Sequence, residues 1–169
     1  MDAAPFLATI GEALEAVRLE AVLVGNAAAA LRGAPVTTLD FDFMFRKTRR
    51  NLDKLKALAR RLGAVILRPY YPASDLYRVV VEETGLQLDF MSSLHGIRSF
   101  ETLRSRAEPI SFGRAHILVA SLDDVIRSKK ALARPRDLAV LDILEKTARE
   151  IQAREKKKTR TTKSRNRKG

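Results

Sequence analysis

The chain has 169 residues, 31% of them charged and 46% in the hydrophobic set, an ordinary globular balance that favours one domain with a modest core. Cysteine is absent, which excludes disulfides and thiolate metal sites and fits a reducing cytoplasm; no apolar run approaches the ~20 residues that span a bilayer, and residues 1–5 lack the basic start of a signal peptide. The formal net charge is +12, and residues 154–169 hold nine Lys or Arg against one Glu, so most of the excess lies at one end.

Residues 5–19 place Phe6, Leu7, Ile10, Leu14 and Val17 at helical spacing. The apolar run 21–24 reads as a buried strand ended by Gly25-Asn26. Asn26 is expected to cap a helix over 27–32, which Gly33 and Pro35 stop. A strand follows in Thr38-Leu39-Asp40-Phe41-Asp42-Phe43-Met44-Phe45, then an amphipathic helix over 51–62 ended by Gly63. Strands are expected over 64–67, 76–81 and 86–91, the last two joined as a hairpin through Glu82-Glu83-Thr84-Gly85. A short helix over 99–107 precedes a second hairpin, 110–112 and 115–119, around Gly113-Arg114. Ser121-Leu122-Asp123-Asp124 reads as a capping box opening a helix to Ala133, and Pro135 starts a final helix to about Gln152. This order predicts an α/β (α+β) domain over 1–152 with one mixed β-sheet flanked by helices, followed by a basic, disordered tail over 153–169. The tail attracts polyanions and makes RNA the expected partner, through 154–169; with no aromatic to stack on bases it offers affinity and little sequence readout. The competing reading is a tail that only solubilises.

The chemistry is concentrated in the Asp40/Asp42 strand. Side chains at i and i+2 share a face, so the two carboxylates stand together, with Phe41, Phe43 and Phe45 on the other face. Adjacent carboxylates repel unless a cation lies between them, which points to a divalent metal, Mg²⁺ with Mn²⁺ as the alternative. The competing reading is a pair of edge-strand charges facing solvent. Asp89, in Leu86-Gln87-Leu88-Asp89-Phe90-Met91, projects opposite the apolar Leu88 and Phe90 and is a candidate third ligand. Gly25-Asn26, between a strand and a helix start, is a candidate phosphate site. His95 and His116 lack ligand spacing to each other and read as structural, and Tyr70-Tyr71-Pro72 reads as a loop or strand end.

The run Val22-Leu23-Val24-Gly25-Asn26-Ala27-Ala28 with Arg32-Gly33-Ala34-Pro35-Val36-Thr37-Thr38-Leu39-Asp40-Phe41-Asp42 resembles the polymerase-β-like nucleotidyltransferase superfamily. Within it the stretch is most similar to small bacterial AbiEii-type toxin nucleotidyltransferases. A second match is Val119 to Lys129, followed by Ala133-Arg134-Pro135-Arg136-Asp137. The resemblance covers about residues 10–145 and implies a minimal polymerase-β-like fold. It further implies that Asp40, Asp42 and Asp89 are catalytic carboxylates holding Mg²⁺, with Asp89 serving a second metal or acting as base. Gly25, Asn26, Lys129, Arg134 and Asp137 would bind the nucleotide, the lysine and arginine neutralising triphosphate and Asp137 positioning them. The implied reaction is transfer of a nucleotide from an NTP to a hydroxyl of RNA, such as the tRNA 3′ end, or of a protein, with release of pyrophosphate. A toxin–antitoxin role, with a partner antitoxin or toxin protein, is implied as well. Asn26 departs from the Gly or Ser usual at its position, which favours one alternative, a catalytically degenerate nucleotide-binding or antitoxin/regulatory module; a second alternative is a small-molecule (antibiotic) nucleotidyltransferase, which the basic tail fits poorly.

Overall fold

The structure, a computed structural model, describes residues 4–38, 40–67 and 75–165, with side chains as far as residue 157. Helix α1 (Ala4–Val17) leads into strand β1 (Ala21–Val24), helix α2 (Gly25–Leu31), strand β2 (Asp40–Phe45) and helix α3 (Arg49–Arg61). Three strands follow, β3 (Val65–Leu67), β4 (Leu76–Val81) and β5 (Leu86–Met91), then helix α4 (Phe100–Arg106). The hairpin β6 (Glu108–Phe112) and β7 (Ala115–Val119) precedes helices α5 (Leu122–Leu132) and α6 (Pro135–Arg165).

All seven strands form one mixed sheet in the order β3-β4-β5-β2-β1-β7-β6. Strand β2 lies at its centre, antiparallel to β1 and parallel to β5. The mixed α/β architecture is the one the sequence predicts. Alternation sets the faces: Phe41, Phe43 and Phe45 are buried while Asp40 is exposed. Phe43 stacks on Phe90 of β5 with ring centroids 5.1 Å apart, and Phe45 meets Phe90 and Tyr77 edge-on at 6.0 and 6.1 Å. Such pairs add about 0.5–1.5 kcal/mol each beyond the area they bury. This aromatic cluster fixes the β2–β5 register, because a one-residue slip would turn every ring away from the core.

The helices pack through the faces their spacing predicts. Leu7, Ile10 and Leu14 of α1 are buried, and the helix lies against β6, β7 and α3. Thr48, Ser99 and Ser121 cap α3, α4 and α5, each accepting from the backbone N–H three residues on. Ser121 therefore caps α5 as expected, and its hydroxyl also donates to the Asp124 carboxylate at 2.9 Å. The buried Asp124 carboxylate receives both Arg106 guanidinium bonds, at 2.6 and 2.9 Å. Helix α2 is tied to β7 by Arg32, which donates to the Val119 and Ala120 carbonyls at 2.7 and 3.1 Å.

Small shifts aside, such as β6 starting at Glu108 and α3 at Arg49, two differences from the sequence reading bear on the site and the tail. Helix α2 begins at Gly25, so Asn26 lies inside its first turn; Val24 occupies the cap position and no side chain caps the helix. Helix α6 passes Gln152 and runs to Arg165, into the segment expected to be disordered. No Gly or Pro interrupts 153–165, and Lys, Arg, Glu and Gln are good helix formers. Charge density predicted solvation there and carried no signal that ends a helix. Tyr70, Tyr71 and Pro72 lie outside the described residues.

Phe43→Ala is expected to destabilise the fold by about 3–5 kcal/mol, read from chemical denaturation, because it empties a fully buried position and removes the stack on Phe90.

Candidate active site

The parallel register of β2 and β5 sets Asp42 opposite Asp89, and Asp40 opposite Gln87. The rings at the intervening positions bury on one face, so all three carboxylates stand on the other. Asp40 is exposed, Asp42 half-buried and Asp89 buried. On its other side, Asp42 pairs with Val24, the last residue of β1, which brings the turn into α2 against it.

That turn explains Gly25. Its φ is +65°, and a Cβ there would stand 2.5 Å from Asp42 Oδ2. The glycine makes room for the carboxylate and adopts a backbone conformation that other residues avoid. The side-chain oxygen of Asn26, one residue on, is buried without a hydrogen-bond partner. An unsatisfied buried oxygen is costly, and its position beside this turn marks it as a group awaiting a donor.

Cations approach from α5 and α6. Lys129 is buried and donates to Asp137 Oδ1 at 3.1 Å, while Arg134 donates to Asp137 Oδ2 at 2.5 Å. Burial alone would push the Asp137 carboxyl up; the hydrogen bonds from Arg134 and Lys129 outweigh it and hold the group below the usual carboxylate range. Ala133, in the left-handed region at φ +49°, ends α5 and turns the chain so that α6 can present Asp137 to Lys129. Asp137 is thus the residue that orients both cations.

The charges of Lys129 and Arg134 act on Asp42. Burial pushes its carboxyl from 3.8 up to about 6, with the Asp89 and Asp40 carboxylates adding to the rise and Lys129 and Arg134 opposing it. The chain thus holds a carboxylate in surroundings that disfavour its charge. The donor set fits a hard divalent cation, since Asp40 and Asp42 offer oxygen ligands on one face and a bound cation would relieve the repulsion. Among the described residues no group of three or more His, Cys, Asp or Glu side chains is placed to hold a metal ion together. Asp89 turns instead to Arg78 of β4, whose Nε and Nη2 donate to its two oxygens at 2.8 Å each.

Arg78 is the residue that motif reading passed over. The hairpin nevertheless contained the signal, because a turn over 82–85 pairs Val81 with Leu86 and, counting back, Arg78 with Asp89. His116, read as structural, receives no part here; its backbone N–H donates to Glu15 of α1 at 2.8 Å.

The fold has known counterparts. The antibiotic-resistance factor ANT(2'')-Ia superposes with a TM-score of 0.61 at 12% identity, covering 98% of this chain and 97% of that one. The lincosamide antibiotic adenylyltransferase LnuA gives 0.60 at 14% identity, over 86% of this chain and 96% of its own. A Thermotoga maritima protein described as a nucleotidyltransferase gives 0.54 at 16% identity, over 86% and 92%. No family model and no curated protein matches the sequence. The chain has the polymerase-β-like nucleotidyltransferase fold. The likeness to AbiEii-type toxins rests on the sequence motifs alone.

Two outcomes follow from the geometry. Because the folded-state pKa of Asp42 is raised, its ionisation destabilises the fold: the favourable contribution is complete below about pH 4 and is lost as pH rises through about 6. Asp42→Asn escapes that loss, so without divalent metal it is expected to melt above wild type at pH 8 and close to it at pH 4, checked by thermal melts across that range. Gly25→Ala is expected to lower the nucleotidyl transfer proposed below by at least about tenfold while leaving far-UV circular dichroism unchanged, because the new methyl displaces the Asp42 carboxylate.

Proposed function

We propose that this chain is a divalent-metal-dependent nucleotidyltransferase that moves a nucleotide from an NTP to a hydroxyl of RNA. The observation that carries the reading is the juxtaposition at Asp42: a second aspartate two residues away, a third across the β2–β5 pair, a side-chain-free turn at Gly25, and two cations oriented by Asp137. Mg²⁺ held by Asp40 and Asp42 would neutralise triphosphate oxygens and lower the barrier to attack at the α-phosphorus. Lys129 and Arg134 would hold the triphosphate, and Asp137 would keep both aimed at it. Gly25 and Asn26 would line the phosphate side of the site, the Asn26 amide NH₂ donating to a phosphate oxygen. The acceptor oxygen bonds to the α-phosphorus as the bond to pyrophosphate breaks, and the hydroxyl proton passes to Asp89.

RNA is favoured as acceptor by the charge of 154–169, whose helical part continues α6 away from the α5–α6 corner that carries Lys129 and Arg134. A toxin–antitoxin role, with a protein partner, belongs to the same reading and is supported by the sequence motifs. One observation favours a second reading: ANT(2'')-Ia, also described in complex with adenylyl-2''-tobramycin, and LnuA, described as lincomycin-bound, share the fold. A small-molecule hydroxyl would then be the acceptor.

Incubation with Mg²⁺, each α-labelled NTP in turn and total RNA tests the reading. Label on RNA is expected, absent with Asp42→Ala and reduced on removal of 154–169, with the loss on truncation largest at low salt and narrowing as salt rises. Label on an aminoglycoside or lincosamide, unaffected by that truncation, would favour the second reading. Nucleotide bound without transfer to any acceptor would favour a binding module.

A further inference from the structure

The cross-strand pair between Arg78 and Asp89 bears on how many cations the site can take. Arg78 and Asp89 are directly opposed in the antiparallel β4–β5 pair, so the backbone itself holds them together. Both guanidinium-to-carboxylate bonds are 2.8 Å, the parallel two-point geometry that only arginine supplies. The hydrogen bond to Asp89 holds the Arg78 guanidinium above its ordinary range, and the charges of Asp40 and Asp42 act in the same direction. The Asp89 side chain is 10% exposed and that of Arg78 39%, so the carboxylate is enclosed while the cation closes it off from the open side. With its amide turned, Gln87 accepts from the same guanidinium at 3.2 and 3.3 Å, which adds a further anchor beside Asp40.

We infer that Arg78 is a built-in counter-cation for Asp89, so that the site takes a single divalent ion on Asp40 and Asp42, and Asp89 is not a metal ligand. The inference rests on the metal-dependent reading above and deepens it. A fixed +1 charge neutralises the third carboxylate, and a second divalent ion would have to displace two charge-assisted hydrogen bonds from an enclosed group. Asp89 keeps lone pairs beyond those given to Arg78, so it remains able to accept a hydrogen bond from an acceptor hydroxyl. Arg78 is thus a positioning residue: it sets the metal count and holds Asp89 toward the site.

Manganese provides a probe that does not depend on turnover. Bound Mn²⁺ would be counted by electron paramagnetic resonance on the full chain, in wild type and in Asp42→Asn, Asp89→Asn, Arg78→Gln and Arg78→Lys. Wild type is expected to hold one ion. Asp89→Asn should keep that ion within about threefold in affinity, and Asp42→Asn should weaken it by about tenfold or more. Arg78→Gln should gain a second ion and should be stabilised by Mn²⁺ more than wild type in thermal melts, whereas Arg78→Lys should keep the single ion. Two ions on wild type, or a loss in Asp89→Asn as large as in Asp42→Asn, would overturn the inference and leave the metal-dependent reading intact. No Mn²⁺ on any variant would overturn both. Should Arg78→Gln fail to fold, the comparison of Asp89→Asn with Asp42→Asn still decides.

Discussion

The β2–β5 pairing is the constraint on which the rest of the structure depends. One register does two things: it stacks Phe43 on Phe90 in the core and, one position over, sets Asp42 beside Asp89 on the opposite face. The first is favourable and the second is not. The aromatic cluster supplies the free energy that holds the carboxylates where, without a cation, they repel. Stability and site are therefore the two faces of one strand pair, as expected where a protein retains local strain for chemistry.

Each surrounding element answers that local cost. Gly25 yields space to Asp42, Arg78 neutralises Asp89, and Lys129 and Arg134 bring positive charge toward Asp42. The buried Lys129–Asp137 pair would be weak evidence for stability alone, since desolvation offsets much of its attraction. Its second cation, Arg134, reached through the left-handed turn at Ala133, adds to the positive charge that acts on Asp42. Asp124 is buried in a comparable way, but its Arg106 partner and its place in the α5 cap give it a structural task.

Much of this was legible in the sequence, for reasons that differ by element. Alternation in Asp40–Phe45 and the hairpin signals gave strands and faces directly, because period two is unambiguous when aromatics and carboxylates alternate. The mixed sheet followed from the order of elements. The end of α6 did not, since a lysine-rich segment can be helical or not at little difference in free energy, and composition carries no boundary there. Asn26 was misplaced as a cap because nothing local distinguishes a helix starting at Gly25 from one starting two residues later. The glycine was singled out for close approach of phosphate, whereas its immediate neighbour is the carboxylate of Asp42. Arg78 was missed because attention to motifs selects carboxylates and lysines, while its role appears only when the hairpin register is counted.

The central claim is that the Asp40/Asp42 face is built to receive a divalent cation with a nucleotide triphosphate. Anomalous diffraction from crystals grown with Mn²⁺ and a non-hydrolysable NTP tests it most directly. The account predicts one anomalous peak within coordination distance of Asp40 and Asp42 carboxylate oxygens, with the triphosphate running toward Gly25 and within reach of Lys129 and Arg134. Nucleotide bound elsewhere on the chain, or bound here with no metal at these two carboxylates, would contradict it.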